Sequence, residues 1–259
     1  MMKKGNDTSS TALLGQFREA FYLLLSRAFS REPDQEMLKS AEQVSRGLLD
    51  AWELMELPSD PDVQAGKTLL ETFFSELPQR NADELIEQLA RQYAALFLGV
   101  GPKTVSLCES VYRSKFGLLY QSTLFDVQQS YREIGMAKSD HYREPDDHIA
   151  VELSYMARLC NMTREAASAG RAGRAQALQH LRLQQAFLKG HLLQWVPRFS
   201  QDLIVTAPPG FYRAFAHLLK GYIGIDGRLI DSMIQELNDT PRNKRSKEKV
   251  STDGPATHH

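Results

Sequence analysis

The residues best equipped for chemistry lie in Tyr142-Arg143-Glu144-Pro145-Asp146-Asp147-His148, with Glu152 one helical turn further on. Carboxylates and an imidazole at this density can bind a metal, move protons or hold a cation. Ligand count speaks against the metal. A carboxylate di-iron bundle needs a Glu-x-x-His pair on two helices plus two further Glu, and the chain has no second copy. Its seven His and two Cys are scattered, without zinc or iron–sulfur spacing. Proline at a first helical position and acids in a first turn favour a helix N-terminus, so the spacing predicts a helix that opens at Pro145. That local role does not require Glu144, Asp146, Asp147, His148 and Glu152 together. The cluster makes a hook for a cationic ligand, above all an arginine guanidinium, which carboxylates take in bidentate fashion. His148 has a second reading as a structural cap, and both stay open.

Other segments resemble catalytic motifs and fail on mechanism. Gly99-Val100-Gly101-Pro102-Lys103-Thr104 looks like a phosphate loop, but Pro102 stands where a glycine must precede the lysine, and a helix rather than a strand leads in. Cys108 sits beside Glu109, whose charge raises a thiol pKa, so Cys108 and Cys160 read as small buried apolar residues. There is no Gly-x-Ser-x-Gly elbow. No catalytic residue and no metal ligand is expected. Tyr93, Leu96 and Phe97 share one helical face, and a loop leads from them to Glu109-Ser110-Val111-Tyr112. Leu96 and Phe97 suit a core. Tyr93 and Tyr112 bring polar tips, which suit a groove apolar inside and wet at its rim.

These residues need elements to position them, and the composition points to helices. The 259 residues carry 31 Lys plus Arg against 32 Asp plus Glu, for a net charge of −1, with 42% hydrophobic residues. That balance gives no global electrostatic reason to bind nucleic acid. No run approaches the roughly 20 apolar residues of a membrane helix. A polar stretch, not an apolar signal core, follows Met1, so a cytoplasmic protein is expected. Leucine dominates the apolar set and β-branched residues are fewer, which favours helix over strand.

Apolar spacing predicts helices over about 11–30, through Leu38 to Leu49, through Leu69 to Phe74, and through Leu85 to Phe97. After a loop at 99–110, helix is expected over about 112–137. A polar loop at 138–145 and the helix from Pro145 through Met156 come next. The stretch 166–177 ends that helix and starts another, which Pro197 closes. Leu203-Ile204-Val205-Thr206 looks strand-like but has no partner. Helices at about 211–222 and 226–237 complete the set. The fold class is therefore all-α, a single domain of about ten helices over 11–239. A flexible segment is expected at 1–10, a subdomain break is allowed near 138–145, and a disordered basic tail is expected at 240–259.

Taken in order, three segments resemble the TorD/DmsD/NarJ family of redox-enzyme maturation chaperones. They are Tyr93-x-x-Leu96-Phe97-Leu98-Gly99-x-Gly101, then Glu109-Ser110-Val111-Tyr112, then Glu144-Pro145-x-Asp147-His148 followed by Glu152-Leu153. The resemblance implies a cytoplasmic, all-α chaperone that is not an enzyme. Such a protein binds the twin-arginine leader and apo form of a molybdenum-cofactor oxidoreductase, of dimethyl sulfoxide or trimethylamine N-oxide reductase type. It would hold that client through cofactor insertion and away from premature Tat export. The resemblance assigns leader binding to Tyr93, Leu96, Phe97, Glu109, Ser110, Val111, Tyr112, Glu144, Pro145, Asp146, Asp147 and His148. It further implies contact with Tat or cofactor-biosynthesis proteins, a monomer or a domain-swapped homodimer, and no cofactor. The alternatives are a guanine-nucleotide-binding or hydrolysing enzyme and a generic helical scaffold. The sequence departs from the family where Leu107 and Cys108 precede Glu109, a place that often carries Pro and an aromatic residue, and has Tyr93 where some relatives have tryptophan.

Overall fold

Helix forms wherever the leucine-rich spacing runs free of proline and glycine, and small polar residues mark the starts. The structure, a computed structural model, describes residues 7–119, 122–138 and 142–239. Ten α-helices lie among the described residues: α1 (Asp7–Ser30), α2 (Gln35–Leu54), α3 (Pro61–Glu76), α4 (Ala82–Phe97), α5 (Glu109–Arg113), α6 (Ser122–Glu133), α7 (Ile149–Ser168), α8 (Arg174–Phe187), α9 (Leu193–Thr206) and α10 (Phe211–Asp239). Asp34, Asp60 and Asn81 cap α2, α3 and α4, each accepting a backbone N–H from the first turn at 2.7 to 2.9 Å. Among the described residues no helix is long and apolar enough to cross a membrane.

The long helices α1, α7 and α10 form the centre. α1 lies along α7, α7 along α8, and α10 packs on α3 and α9. Their facing stripes bury Phe21, Tyr22, Leu25, Phe29, Tyr155, Phe199, Phe215 and Tyr222 almost completely. One charged group sits inside this apolar mass. Arg18 is fully buried and donates from Nε to Asp226 Oδ1 at 2.6 Å and from Nη2 to Gln184 Oε1 at 2.6 Å. Tyr22 donates to Asp226 Oδ2 at 2.7 Å. The network ties α1 to α8 and α10, and it gives each buried charge the partners that burial demands.

Several expected boundaries change. α1 begins at Asp7, so residues 7–10 are helical rather than a flexible lead, and residues 1–6 lie outside the described residues. The single helix expected over 112–137 is two, α5 and α6, parted after Arg113 where Gly117 takes a φ of 66°. Pro197 does not end a helix but lies inside α9, just past a π turn at Leu188–Leu192. The wide turn breaks the regular i to i−4 ladder ahead of α9. Leu203 to Thr206 is helical, because β-branched residues follow the tertiary packing of α9 rather than their own preference. The last two expected helices are one continuous α10. The tail at 240–259 lies outside the described residues, as do residues 139–141 of the allowed break; Tyr142 beyond that break packs on the common core.

Candidate functional site

The three motif segments meet at one seam. Gly99, with a φ of 76°, stops α4, and the chain turns back so that Val105 N–H donates to Leu96 O at 2.8 Å. The loop then runs antiparallel to residues 147–149. Glu109 N–H donates to Asp147 O at 3.0 Å, and Ile149 N–H donates to Leu107 O at 2.8 Å. This short crossing sets the N-termini of α5 and α7 side by side.

Two adjacent residues cap those two helices. Cys108, at the cap position of α5, offers no side-chain bond. Asp147 reaches across instead and accepts the Ser110 N–H at 2.8 Å. His148 caps its own helix, Nδ1 accepting the Ala150 N–H at 3.1 Å. The cap reading of His148 is thus realised, and α7 opens after His148 rather than at Pro145. The proline lies one turn earlier, its carbonyl accepting the His148 N–H at 3.1 Å. Because Nδ1 accepts, the neutral ring carries its proton on Nε2, which is buried without a partner. Burial, assisted by the charge of Lys138, pushes the imidazole down to about 3, so His148 is uncharged at neutral pH.

A second buried group lies behind α5. Glu109 is fully buried, bonded through Oε1 to Arg113 Nη1 at 2.7 Å and through Oε2 to His191 Nδ1 at 2.9 Å. Arg113 also donates to Gly190 O at 2.8 Å. Both His191 and Gly190 belong to the π turn. Glu152, likewise fully buried, accepts the Trp195 Nε1–H at 3.1 Å through Oε2. Burial first, then the neighbouring Glu109, raises the Glu152 carboxyl well above the usual carboxylate range. The free oxygens Asp147 Oδ1 and Glu152 Oε1, with the Ser110 hydroxyl, are buried and lack partners.

These positions correct the picture of a hook lying open at the surface. Asp147, His148, Glu109 and Ser110 are buried by the crossing of the two chain segments. Glu144 is exposed and faces solvent, and Asp146 is half-buried at the edge. Asp146 accepts from Gln128 Nε2 at 2.6 Å and pairs with Lys138 at 3.1 Å. Pro145, Val111 and Tyr112 are half-buried at the rim. Tyr112 leans on Trp195, ring centres 5.4 Å apart, under the Arg198 guanidinium.

The expected open groove of Tyr93, Leu96 and Phe97 is filled by the molecule itself. Tyr93 and Leu96 are buried, and Tyr93 Oη donates to Phe29 O at 3.4 Å. Burial pushes the Tyr93 hydroxyl up to about 12. Phe97 packs edge-on against Tyr93 and Tyr212, and only it reaches partway to the surface. The two cysteines are buried as expected, with burial pushing Cys160 to about 12 and Cys108 higher still. Arg113, His191 and Trp195 complete the seam and were not legible as members of it. His191 stands 82 positions from Glu109, and nothing in either local pattern announces the meeting.

Comparison with known proteins covers the same ground. Residues 57–201 match the family model described as nitrate reductase delta subunit, a span from ahead of α3 into α9 that holds every residue of the seam. The chaperone protein TorD of Shewanella pealeana is 28% identical over 250 residues, covering 92% of this chain and all of that one. TorD of Aliivibrio salmonicida is 26% identical over 213 residues, 82% of this chain and 94% of the relative. TorD of Aeromonas salmonicida is 34% identical over 148 residues, 57% of this chain and 63% of its own.

Proposed function

The chain belongs to the nitrate reductase delta subunit family and is a TorD-family chaperone, and we propose that it binds the twin-arginine leader of a molybdenum-cofactor oxidoreductase precursor at the seam between α4, α5 and α7. One observation carries the reading. Segments about 40 residues apart in sequence converge through Glu109–Asp147, Ile149–Leu107 and Ser110–Asp147 hydrogen bonds, and they leave carboxylates inside and at the edge of that convergence. A leader offers two guanidinium groups and an apolar stretch. Glu144, exposed, suits the first contact with a guanidinium, and Asp146 beside it can exchange its Lys138 partner for one. Phe97, with Leu98 and Val100 exposed beside it, suits the apolar stretch laid as a helix. The work takes place before export, in the cytoplasm, and requires no cofactor and no reaction catalysed by this chain.

Calorimetric titration with a synthetic leader peptide tests the site. The Glu144→Gln/Asp146→Asn double variant is expected to bind about 3- to 10-fold more weakly, the loss of two solvent-screened charge contacts. Replacing the arginine pair of the peptide by lysines should give a similar loss. Glu165→Gln, exposed near the far end of α7, should bind as the parent does. Equal affinity for parent and double variant refutes the assignment. Saturable micromolar GTP binding with turnover would replace it by the enzyme reading.

A further inference from the structure

Helix α5 has five residues, and its charged side chains, Glu109 and Arg113, anchor it to one place. Glu109 binds His191, Arg113 binds Glu109, and Arg113 binds the Gly190 carbonyl. Both receiving residues lie in the π turn, where the widened ladder leaves groups free for outside partners. The remaining ties are the backbone bond from Glu109 to Asp147 and the Asp147 cap on Ser110. The apolar hold is chiefly Tyr112 on Trp195 and Phe199.

Beneath α5 lies Glu152. The groups facing it are Glu109 from α5, Cys108 and Asp147 from the crossing, Tyr131 from α6 and Trp195 from α9, with Arg113 and His191 on the Glu109 carboxylate behind them. Arg113 and His191 are both engaged by Glu109. Trp195 occupies Oε2 of Glu152, and a proton on that carboxyl is shared with the facing Glu109 carboxylate, so its loss leaves two buried carboxylates against each other. Ser110 Oγ and Asp147 Oδ1 have no hydrogen-bond partner. A buried polar group without a partner favours any motion that admits water.

We infer that α5 is a proton-controlled latch over the seam, shut while Glu152 holds its proton and released when that proton passes to a solvent base. Ionised Glu152 would stand beside Glu109 without a counter-charge, and lifting α5 lets water reach both. Every polar tie broken by the lift can be remade with water. The lift also brings Glu109, Asp147 and Glu152 within reach of an incoming cation, so a guanidinium favours the open form and drives the proton off. This role of the latch rests on the leader-binding reading, whereas its test needs no peptide.

The closed form binds one proton more than the open form. Opening therefore rises with pH from the ordinary Glu carboxyl range, near 4.5, upward, by up to about tenfold per pH unit. Hydrogen exchange of the Glu109, Ser110 and Ile149 amides in the full chain, divided by the intrinsic rate at each pH from 5 to 8, reads this opening directly. The parent should show the rise. Glu152→Gln should show a flat profile, because its amide still accepts from Trp195 and has no proton to lose. Arg113→Gln, altered at a side chain 34% exposed, should open severalfold more at every pH and keep the slope. This variant and the parent decide the matter should Glu152→Gln fail to fold. A pH-independent opening in the parent overturns the latch, as does an equal slope in parent and Glu152→Gln. Either result leaves the leader site to its calorimetry.

Discussion

Asp147 and His148 are neighbours in sequence that serve different helices, and much of the seam follows from that division. Asp147→Ala leaves the Ser110 N–H without its acceptor, and a loss of about 1–2 kcal/mol in urea unfolding is expected. His148 and Glu152 give the fold a pH signature with opposite limbs. Folding lowers the imidazole to about 3 from its ordinary 6.5, so its contribution is full above 6.5 and lost as pH falls toward 3. Folding raises Glu152 above its ordinary 4.5, so its contribution is full below 4.5 and lost as pH rises. Between about 4.5 and 6.5 the two slopes cancel. Urea midpoints should form a plateau there and fall on both sides, at most about 1.4 kcal/mol per pH unit. His148→Asn, which keeps a cap acceptor, should remove the acid limb and leave the alkaline one. The acidic cluster and the cap role of His148 were legible in sequence. Its burial was not, because burial comes from the crossing with residues 107–109, a long-range pairing that local spacing does not encode.

At the scale of elements, two helices approach where side chains vanish. A β-carbon on Gly221 would stand 2.5 Å from Asp60 Oδ1 and 2.9 Å from Val63 N, and one on Gly66 would stand 2.8 Å from Ala214 O. α10 and α3 touch backbone to backbone there, so Gly221→Ala should cost about 1–3 kcal/mol and lower the unfolding midpoint. The Arg18–Asp226 pair holds α1 to α10 in the same interior. Arg18→Met leaves Asp226 buried with only tyrosine partners, Tyr22 and Tyr222, and about 3–5 kcal/mol should be lost in chemical denaturation. Arg18→Met with Asp226→Leu should recover part of that loss. Helices α2, α3 and α4 follow their apolar stripes and caps closely enough to be read from sequence. The helices expected at 211–222 and 226–237 are one α10, which packs on α3, α8 and α9 and runs through Gly224. Pro197, expected to end a helix, lies in the second turn of α9, and the π turn ahead of it has no sequence mark.

For the molecule as a whole, two surfaces are candidates for the proposed peptide. One is the seam. The other is a groove of about 480 Å³ between α1 and α2, lined by Leu23, Leu24, Met37 and Val44, with Arg27 and Arg31 near one end. Those arginines share Asp34, and burial and mutual repulsion lower Arg27, so a second pair of arginines would meet like charge there. The seam offers Glu144 and Asp146 at its edge and further carboxylates within. The all-α class and the three converging segments were readable from the chain alone. That the convergence is closed over buried carboxylates emerges only from the packing of α5 on the π turn. The most direct measurement is a hydrogen-exchange footprint of the full chain with a saturating twin-arginine leader peptide. Binding at the seam predicts changed exchange at residues 105–113 and 144–152, with α1 and α2 unaltered. Protection confined to α1 and α2, with the seam unchanged, would contradict the account.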